Sequence, residues 1–127
     1  MTTFVDTDVL IDLARAHPAA RQVVETVTRR EDRLIASMVT KAEFLAGLRG
    51  DAPRTAALLE SIDWMPVTDE VAERAGALAR EYPRQGMRFA IADYLIAASA
   101  QLINATLLTR NVRHFPMFPD LHPPYAL

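Results

Sequence analysis

Cysteine is absent from this 127-residue chain, which excludes disulfide bonds, thiolate nucleophiles and zinc sites built on sulfur. Lysine is almost absent as well, because Lys41 is the only one and the other basic residues are arginines. With a formal net charge of -2, the chain has no general basic character, so a nucleic-acid partner would need a local positive patch. The apolar N-terminus is interrupted by Asp6, Asp8 and Asp12 and resembles neither a signal peptide nor a membrane anchor. We therefore expect a cytoplasmic protein.

The rest of the composition is that of an ordinary globular protein. Apolar residues make up 50% of the chain and charged residues 24%, so the chain can bury a core and is not disordered. A length of 127 residues fits one domain, which we expect to span residues 1–127. We find no repeat, low-complexity tract or linker in the sequence.

Short strand-like segments alternate with helical patterns along the chain. The first predicted strand ends at Phe4 and Val5, and the others cover residues 33–36, 62–67 and 105–109. Helical apolar spacing fills the segments between them, and the prolines after residue 115 predict an irregular arm with at most one edge strand. The alternation predicts an α/β fold with three layers, α/β/α, around a mainly parallel sheet of four to five strands.

Three acids fall where such a sheet would gather them. Asp6 follows the first strand, Glu43 lies in the helix after the second, and Asp93 lies at the start of the buried helix before the fourth. Strand ends and helix N-termini share one crevice in a parallel sheet, so we expect these acids to meet there. Local explanations remain open, with Asp6 as a turn residue, Thr40 and Glu43 as a capping box, and Asp8 and Asp93 as helix N-caps.

A cluster of carboxylates has a physical requirement. Carboxylates within a few ångströms of one another repel, and their pKa values rise unless a cation neutralises them. Mg²⁺ and Mn²⁺ take oxygen ligands, usually one or two carboxylates together with phosphate oxygens of a substrate. An ion bound in this way can polarise a phosphodiester and activate a water molecule, and it bridges an acidic pocket to an anionic backbone.

Four motifs, in order along nearly the whole chain, carry a family resemblance. They are V-D-T-D-V-L-I-D-L at 5–13, S-x-x-T-x-x-E at 37–43, A-D-x-L-I-A-A at 92–98 and L-L-T-R-N-x-x-x-F at 107–115. The chain resembles the PIN domain family, and most closely the VapC toxins of toxin-antitoxin pairs. The resemblance implies a Mg²⁺-dependent endoribonuclease, with Mn²⁺ as a substitute for Mg²⁺. It also implies a homodimer that is held inactive by a small antitoxin whose C-terminal segment enters the active-site groove.

The resemblance also implies roles for individual residues. On the matching positions, Asp6 and Asp93 are metal ligands, and Glu43 is a third catalytic acid that acts directly or through water. The polar neighbours expected around them are Thr7, Thr40, Arg110 and Asn111. Many family members carry a further acid after the fourth strand, where this chain has Asn111, which can form hydrogen bonds but cannot supply charge. We therefore expect a single-metal site.

Two residues near the fourth strand keep two interpretations each. Arg110 is either a clamp for a substrate phosphate or a member of a surface ion pair. His114 can act as an acid or base near neutral pH, although a lone histidine in a loop is more often a bystander.

Two other functions remain open at this stage. Asp6-Thr7-Asp8-Val9 after a strand also resembles the nucleophile motif of haloacid-dehalogenase-type phosphatases, in which the first aspartate is phosphorylated. That chemistry needs a lysine near the phosphate, whereas Lys41 falls inside a helical pattern. The second alternative is a catalytically silent PIN-like module that binds a partner or RNA, since apolar helix surfaces would serve an interface in either case.

Overall fold

Strands and helices alternate throughout the computed structural model, which describes residues 2–30, 32–47, 52–84 and 87–126. Within these ranges the strands are β1 (Thr2–Val5), β2 (Arg33–Ser37), β3 (Asp63–Met65) and β4 (Thr106–Leu108). The α-helices are α1 (Thr7–Ala14), α2 (Pro18–Arg29), α3 (Met38–Ala46), α4 (Ala52–Glu60), α5 (Asp69–Glu81) and α6 (Met87–Leu102). A single 3₁₀ turn, Val112–His114, follows β4 in the described residues. The predicted α/β alternation is confirmed.

The sheet is wholly parallel over the described residues. Its strand order is β3-β2-β1-β4, and Phe4 pairs with Ile35 on one side and with Leu107 on the other. Because all strands run the same way, their carboxyl ends lie at one edge of the sheet. Asp6 is the first residue beyond β1 at that edge, and β1 is one of the two central strands. The topology therefore places Asp6 near the middle of the functional edge.

Successive residues of each strand alternate between two apolar layers. Phe4 packs with residues of α5 and α6 on one face of the sheet, whereas Val5 packs with residues of α1 and α3 on the other. The same alternation separates Leu107 from Leu108 in β4. Phe4 and Val5 are almost fully buried, as expected for a central strand that is covered on both faces. The predicted three-layer fold is thus confirmed.

Three predicted helix caps were wrong. Asp6, not Asp8, is the N-cap of α1, and Ser37, not Thr40, is the N-cap of α3. Asp93 lies inside α6, which begins at Met87, so it caps nothing. In the first two cases the strand passes directly into the helix without a loop, so the residue after or at the strand end becomes the cap. Because neither Thr40 nor Asp93 caps a helix, both side chains are available for tertiary contacts.

The arm after the 3₁₀ turn is irregular, as predicted. Residues 115–126 form no strand, and Phe115 and Met117 are buried in the layer that contains Phe4. The described ranges contain no helix with the length and apolar character needed to cross a membrane.

The cap of α5 offers a test of local stability away from the sheet edge. The Thr68 hydroxyl accepts a hydrogen bond from the backbone N–H of Val71 at 3.2 Å. Replacing Thr68 with alanine leaves that N–H without its partner, so we expect Thr68→Ala to lower the free energy of unfolding by about 1 kcal/mol. Urea denaturation monitored by circular dichroism measures the change. Thr68→Ser keeps the hydroxyl and should unfold at the wild-type midpoint, and equal midpoints for the alanine and serine variants would contradict this role.

Candidate active site

Asp6 is held between the end of β1, the start of α1 and the residue that follows β4. Its Oδ1 accepts a hydrogen bond from the Thr7 backbone N–H at 2.8 Å, and its Oδ2 accepts one from the Thr109 hydroxyl at 2.7 Å. The Asp6 backbone N–H donates to the carbonyl oxygen of Leu108 at 3.0 Å. Asp6 is only 4% exposed. Within the described residues, its hydrogen-bond partners are neutral groups, so a buried carboxylate lies here without a bonded cation.

The surroundings of Asp6 favour its protonated form. Burial raises the pKa of Asp6 most strongly, and the negative charges of Asp8 and Asp93 raise it further. The hydrogen bonds from Thr109 and Thr7 lower it, but the balance brings the pKa to about 7. Burial also raises the pKa of Asp8 above its ordinary range. We refer to the region around Asp6, Asp8 and Asp93 as the pocket. A cation would stabilise it, because positive charge offsets both the desolvation of Asp6 and the repulsion between the carboxylates.

Thr7 links α3 to this pocket. Its hydroxyl donates to Oε1 of Glu43 at 2.7 Å and lies 3.2 Å from the hydroxyl oxygen of Thr40. Thr40 is fully buried, whereas Glu43 is exposed. The predicted capping box between Thr40 and Glu43 is replaced by these contacts across two helices. Glu43 is therefore attached to the residue next to Asp6, while its second carboxylate oxygen has no hydrogen bond within the described residues.

Asp93 lies on α6, accepts a hydrogen bond from Arg84 and has a nitrogen of His114 nearby. Arg84 Nη1 lies 2.7 Å from Asp93 Oδ2, and His114 Nδ1 lies 3.2 Å from the same oxygen. The side chain of Asp93 is 21% exposed, so it is partly open to solvent, unlike the buried Asp6. Its charge nevertheless acts on Asp6 by raising the pKa of that group. His114, left open by the sequence, is thus placed beside a predicted metal ligand.

Arg110 and Asn111 follow Thr109 in the loop after β4. The Arg110 guanidinium forms an ion pair with Asp12, with Nε 2.7 Å from Oδ2, and its backbone N–H donates to Asp8 Oδ2 at 2.8 Å. Of the two interpretations open for Arg110, the structure contains the ion pair. The Asn111 backbone N–H donates to the Thr109 hydroxyl at 3.0 Å, and its side chain is exposed.

The predicted acids are gathered at one edge of the sheet, but not into a closed metal cage. Asp6 and Asp93 interact through their charges, and Glu43 is connected to them through Thr7. Within the described part of the chain, no three acidic or histidine side chains converge closely enough to form a metal-binding group by themselves. Two carboxylates with a third nearby is an arrangement suited to an ion that keeps several waters.

Comparisons with known proteins agree with the geometry. Residues 3–118 match the PIN domain family. This chain belongs to the PIN domain family. It is 40% identical over 122 residues to Ribonuclease VapC19 of Mycobacterium tuberculosis, which covers 95% of this chain and 98% of the relative. It is 42% identical over 124 residues to Ribonuclease VapC10 of the same species, covering 97% of this chain and 92% of the relative.

A solved structure gives the same result for the fold of this PIN domain. A chain of a toxin-antitoxin complex from Klebsiella pneumoniae is similar to it with a TM-score of 0.82 and 29% identity. The match covers 98% of this chain and 99% of that chain. The resemblance to the PIN domain family and to VapC proteins, inferred from four short motifs, is confirmed.

Two contributors to the site of this PIN domain were not identified from sequence. Thr109 lies in the motif L-L-T-R-N, but its role follows only from the hydrogen bond to Asp6, a residue 103 positions away. Arg84 lies in the connection before α6, and no pattern in the sequence linked it to Asp93. The position of Thr109 directly after a predicted strand was the one signal available, since that is where parallel sheets place functional side chains.

The raised pKa of Asp6 predicts a pH-dependent cost in stability. Between pH 4 and 7 the unfolded chain loses the Asp6 proton while the folded protein keeps it, so stability falls as pH rises toward the folded pKa of about 7. Asp6→Asn removes this titration. In the presence of a chelator, we expect the variant to be more stable than wild type at pH 8 by on the order of 2–4 kcal/mol.

Urea denaturation of both proteins at pH 4, 6 and 8 measures this difference. We expect it to grow with pH and to be smallest at pH 4, close to the ordinary pKa of 3.8, where the unfolded chain has lost the Asp6 proton only in part. The exposed Asp63, which pairs with Arg33 at the amino end of β3, provides the matched control Asp63→Asn. A stability difference for Asp6→Asn that is constant across the three pH values would show that burial does not raise this pKa.

Proposed function

We propose that this PIN domain is a metal-dependent endoribonuclease, the toxin of a toxin-antitoxin pair, that occupies residues 1–127 as one domain and acts in the cytoplasm. The observation that carries the proposal is Asp6, a buried carboxylate with neutral hydrogen-bond partners and two further aspartates acting on it. Such a group destabilises the folded protein when no cation is bound. Carboxylates with strongly raised pKa values are concentrated at functional sites, so we infer a function for this one. The names of the M. tuberculosis relatives point to RNA as the substrate.

The donor set fits Mg²⁺, with Mn²⁺ as a substitute. The ligands available at the pocket are carboxylate oxygens, and burial together with the neighbouring aspartates raises the pKa of Asp6, which a bound cation would offset. Asp6 and Asp93 would hold the ion, and Glu43 would contact it directly or through a water. When bound there, the ion supplies Lewis-acid polarisation of a phosphodiester and a water of lowered pKa. A single ion is in keeping with Asn111, which cannot supply a further charge.

The protein's own groups prepare these carboxylates. Hydrogen bonds from Thr109 and the Thr7 backbone fix the plane of the Asp6 carboxylate, so it does not have to reorganise to bind a ligand. Thr7 holds Glu43 through its hydroxyl, and the fully buried Thr40 hydroxyl in turn contacts Thr7. We propose that the exposed amide of Asn111 contacts substrate, since it can donate to a phosphate oxygen.

A partner and a second copy complete the proposal. The similar chain from K. pneumoniae was solved as part of a toxin-antitoxin complex, and we propose that a small antitoxin binds this chain as well. We also propose a homodimer. Exposed apolar side chains on α3 and α6, among them Met38, Leu45 and Ile91, offer surface for one or both contacts.

The phosphatase alternative loses its support in the structure. Aspartyl-phosphate chemistry would require the one lysine near the Asp6 carboxylate, but Lys41 Nζ lies over the ring of Trp64, 5.4 Å from its centroid. A catalytically silent binding module would have the same fold as a nuclease, so only a cleavage assay distinguishes the two.

Cleavage assays with purified, chelator-treated protein test the catalytic proposal. We expect no cleavage of RNA without added metal and cleavage on addition of Mg²⁺ or Mn²⁺. Asp6→Asn and Asp93→Asn each remove a ligand charge and should lower the rate by at least about 100-fold while the circular dichroism spectrum stays native. Asp63→Asn removes an exposed aspartate that pairs with Arg33 on the outer strand β3, two strands away from β1, and should keep wild-type activity. Wild-type rates in either site variant would reject this site, and no cleavage by the wild type would favour the silent module.

Expression in a bacterial host tests the assignment as a toxin. We expect the wild-type chain to arrest growth and Asp6→Asn to be tolerated at the same protein level, because the variant lacks a ligand for the ion. Co-expression of a small protein encoded beside this gene should restore growth and yield a complex in size-exclusion chromatography. Growth arrest that persists equally in Asp6→Asn would show that toxicity does not come from this pocket.

A further inference from the structure

A second buried aspartate lies on α1, one and a half turns after Asp6. Asp12 is 4% exposed, and its Oδ2 accepts hydrogen bonds from Arg110 Nε at 2.7 Å and from the Tyr125 hydroxyl at 2.6 Å. Arg110 Nη2 adds a longer contact of 3.4 Å to Oδ1. Asp12 is thus a buried hydrogen-bond acceptor on α1, with one donor from the loop after β4 and one from the C-terminal arm. Neither partner is needed to cap a helix or to extend the sheet.

The Arg110 partner belongs to the loop that contacts the pocket. Thr109 donates to Asp6, the Arg110 backbone N–H donates to Asp8, and the Asn111 backbone N–H donates to Thr109. Thr109 and Arg110 therefore contact the acids directly, Asn111 is bonded to Thr109, and the Arg110 side chain adds a further contact to Asp12. The contact between the guanidinium and Asp12 attaches the loop to α1 at a further point, beyond Asp8.

Tyr125 closes the network from the C-terminal arm. Its ring stacks on His17 with a centroid separation of 6.2 Å and an interplanar angle of 21°, and its hydroxyl reaches Asp12. Burial raises the pKa of Tyr125, so the hydroxyl remains a hydrogen-bond donor at any physiological pH. The described residues around Tyr125 form no strand or helix, so the hydrogen bond to Asp12, the ring contact with His17 and packing against the apolar cluster that contains Val5 fix the position of the arm.

We propose that Asp12 and Tyr125 are positioning residues for the active site, which hold Arg110 so that the 109–111 loop keeps Thr109 on the Asp6 carboxylate. The inference rests on the proposed nuclease function for its kinetic consequence, and on the hydrogen bonds alone for its structural one. The C-terminal arm then takes part in catalysis without contact to RNA. Its hydroxyl orients a carboxylate, the carboxylate orients an arginine, and the arginine fixes the loop.

Tyr125→Phe in the full-length protein is the most conservative test, because it keeps the ring on His17 and removes only the hydroxyl, which contacts Asp12 and Arg110. We expect the amide resonances of Arg110 and Asn111 to shift in the ¹H–¹⁵N spectrum of the metal-free variant, while that of Val71 in α5 stays in place. With RNA and saturating Mg²⁺, we expect kcat to fall by about tenfold with KM unchanged, which is the scale of one lost bond to a charged group. Asp12→Asn, which weakens both contacts, should lower kcat further.

Thr68→Ala serves as the control for lost stability. It removes a helix cap that is remote from the pocket, so we expect wild-type kcat and unshifted loop resonances from it. Unshifted amides in Tyr125→Phe, wild-type kcat, or a rise in KM alone would each overturn the proposal, the last by indicating direct contact with RNA. If the wild-type protein does not cleave RNA, the proposed function fails by itself, and the resonances still decide whether the arm holds the loop.

Discussion

The structure depends on the burial of one carboxylate at the point where β1, α1 and the end of β4 meet. Asp6 is needed locally, since it caps α1 and its backbone N–H bonds to Leu108, yet burial raises the pKa of its side chain to about 7. A local structural role alone could be filled by serine, threonine or asparagine, which cap helices without a charge. In the proposed nuclease, a bound cation would offset the destabilising effect of this carboxylate.

The parallel sheet converts separate segments of sequence into one pocket. Thr109 and Asp6 are 103 residues apart, Glu43 and Thr7 are 36 apart, and all lie at the carboxyl edge because the strands that precede them run the same way. Each side chain is placed by a strand end or by a helix packed on the sheet, rather than by a long loop. Such placement suits a site that must hold charged groups at fixed separations, because strand ends and packed helices move little.

The arginine-rich composition is partly explained by the pairing of acids around the pocket. Arg84 contacts Asp93, Arg110 contacts Asp12, and in the described part of the chain neither cation bonds to Asp6. The guanidinium group suits these partly buried sites because its several donors satisfy a carboxylate that is shielded from water. The two arginines thus pair with aspartates near Asp6, while the Asp6 carboxylate itself has neutral hydrogen-bond partners within the described residues. This distribution is in keeping with the absence of a general basic character in the sequence.

The residue pattern was enough to predict the alternation of strands and helices, the three-layer parallel fold and the three acids at one edge of the sheet. Short-range apolar periodicity indicates the strands and helices, and the position of an acid after a strand indicates the site. The order of the four motifs indicated membership of the PIN domain family. The residue pattern did not determine the helix caps at Asp6 and Ser37, because a cap depends on where the strand stops, and a one-residue difference changes the assignment. Three contacts could be identified only from the packed structure. They are the hydrogen bond from Thr109 to Asp6 and the ion pairs of Arg84 with Asp93 and of Arg110 with Asp12. These contacts join residues far apart in sequence, and the partner of a side chain is set by the packing of whole elements, which no local pattern records.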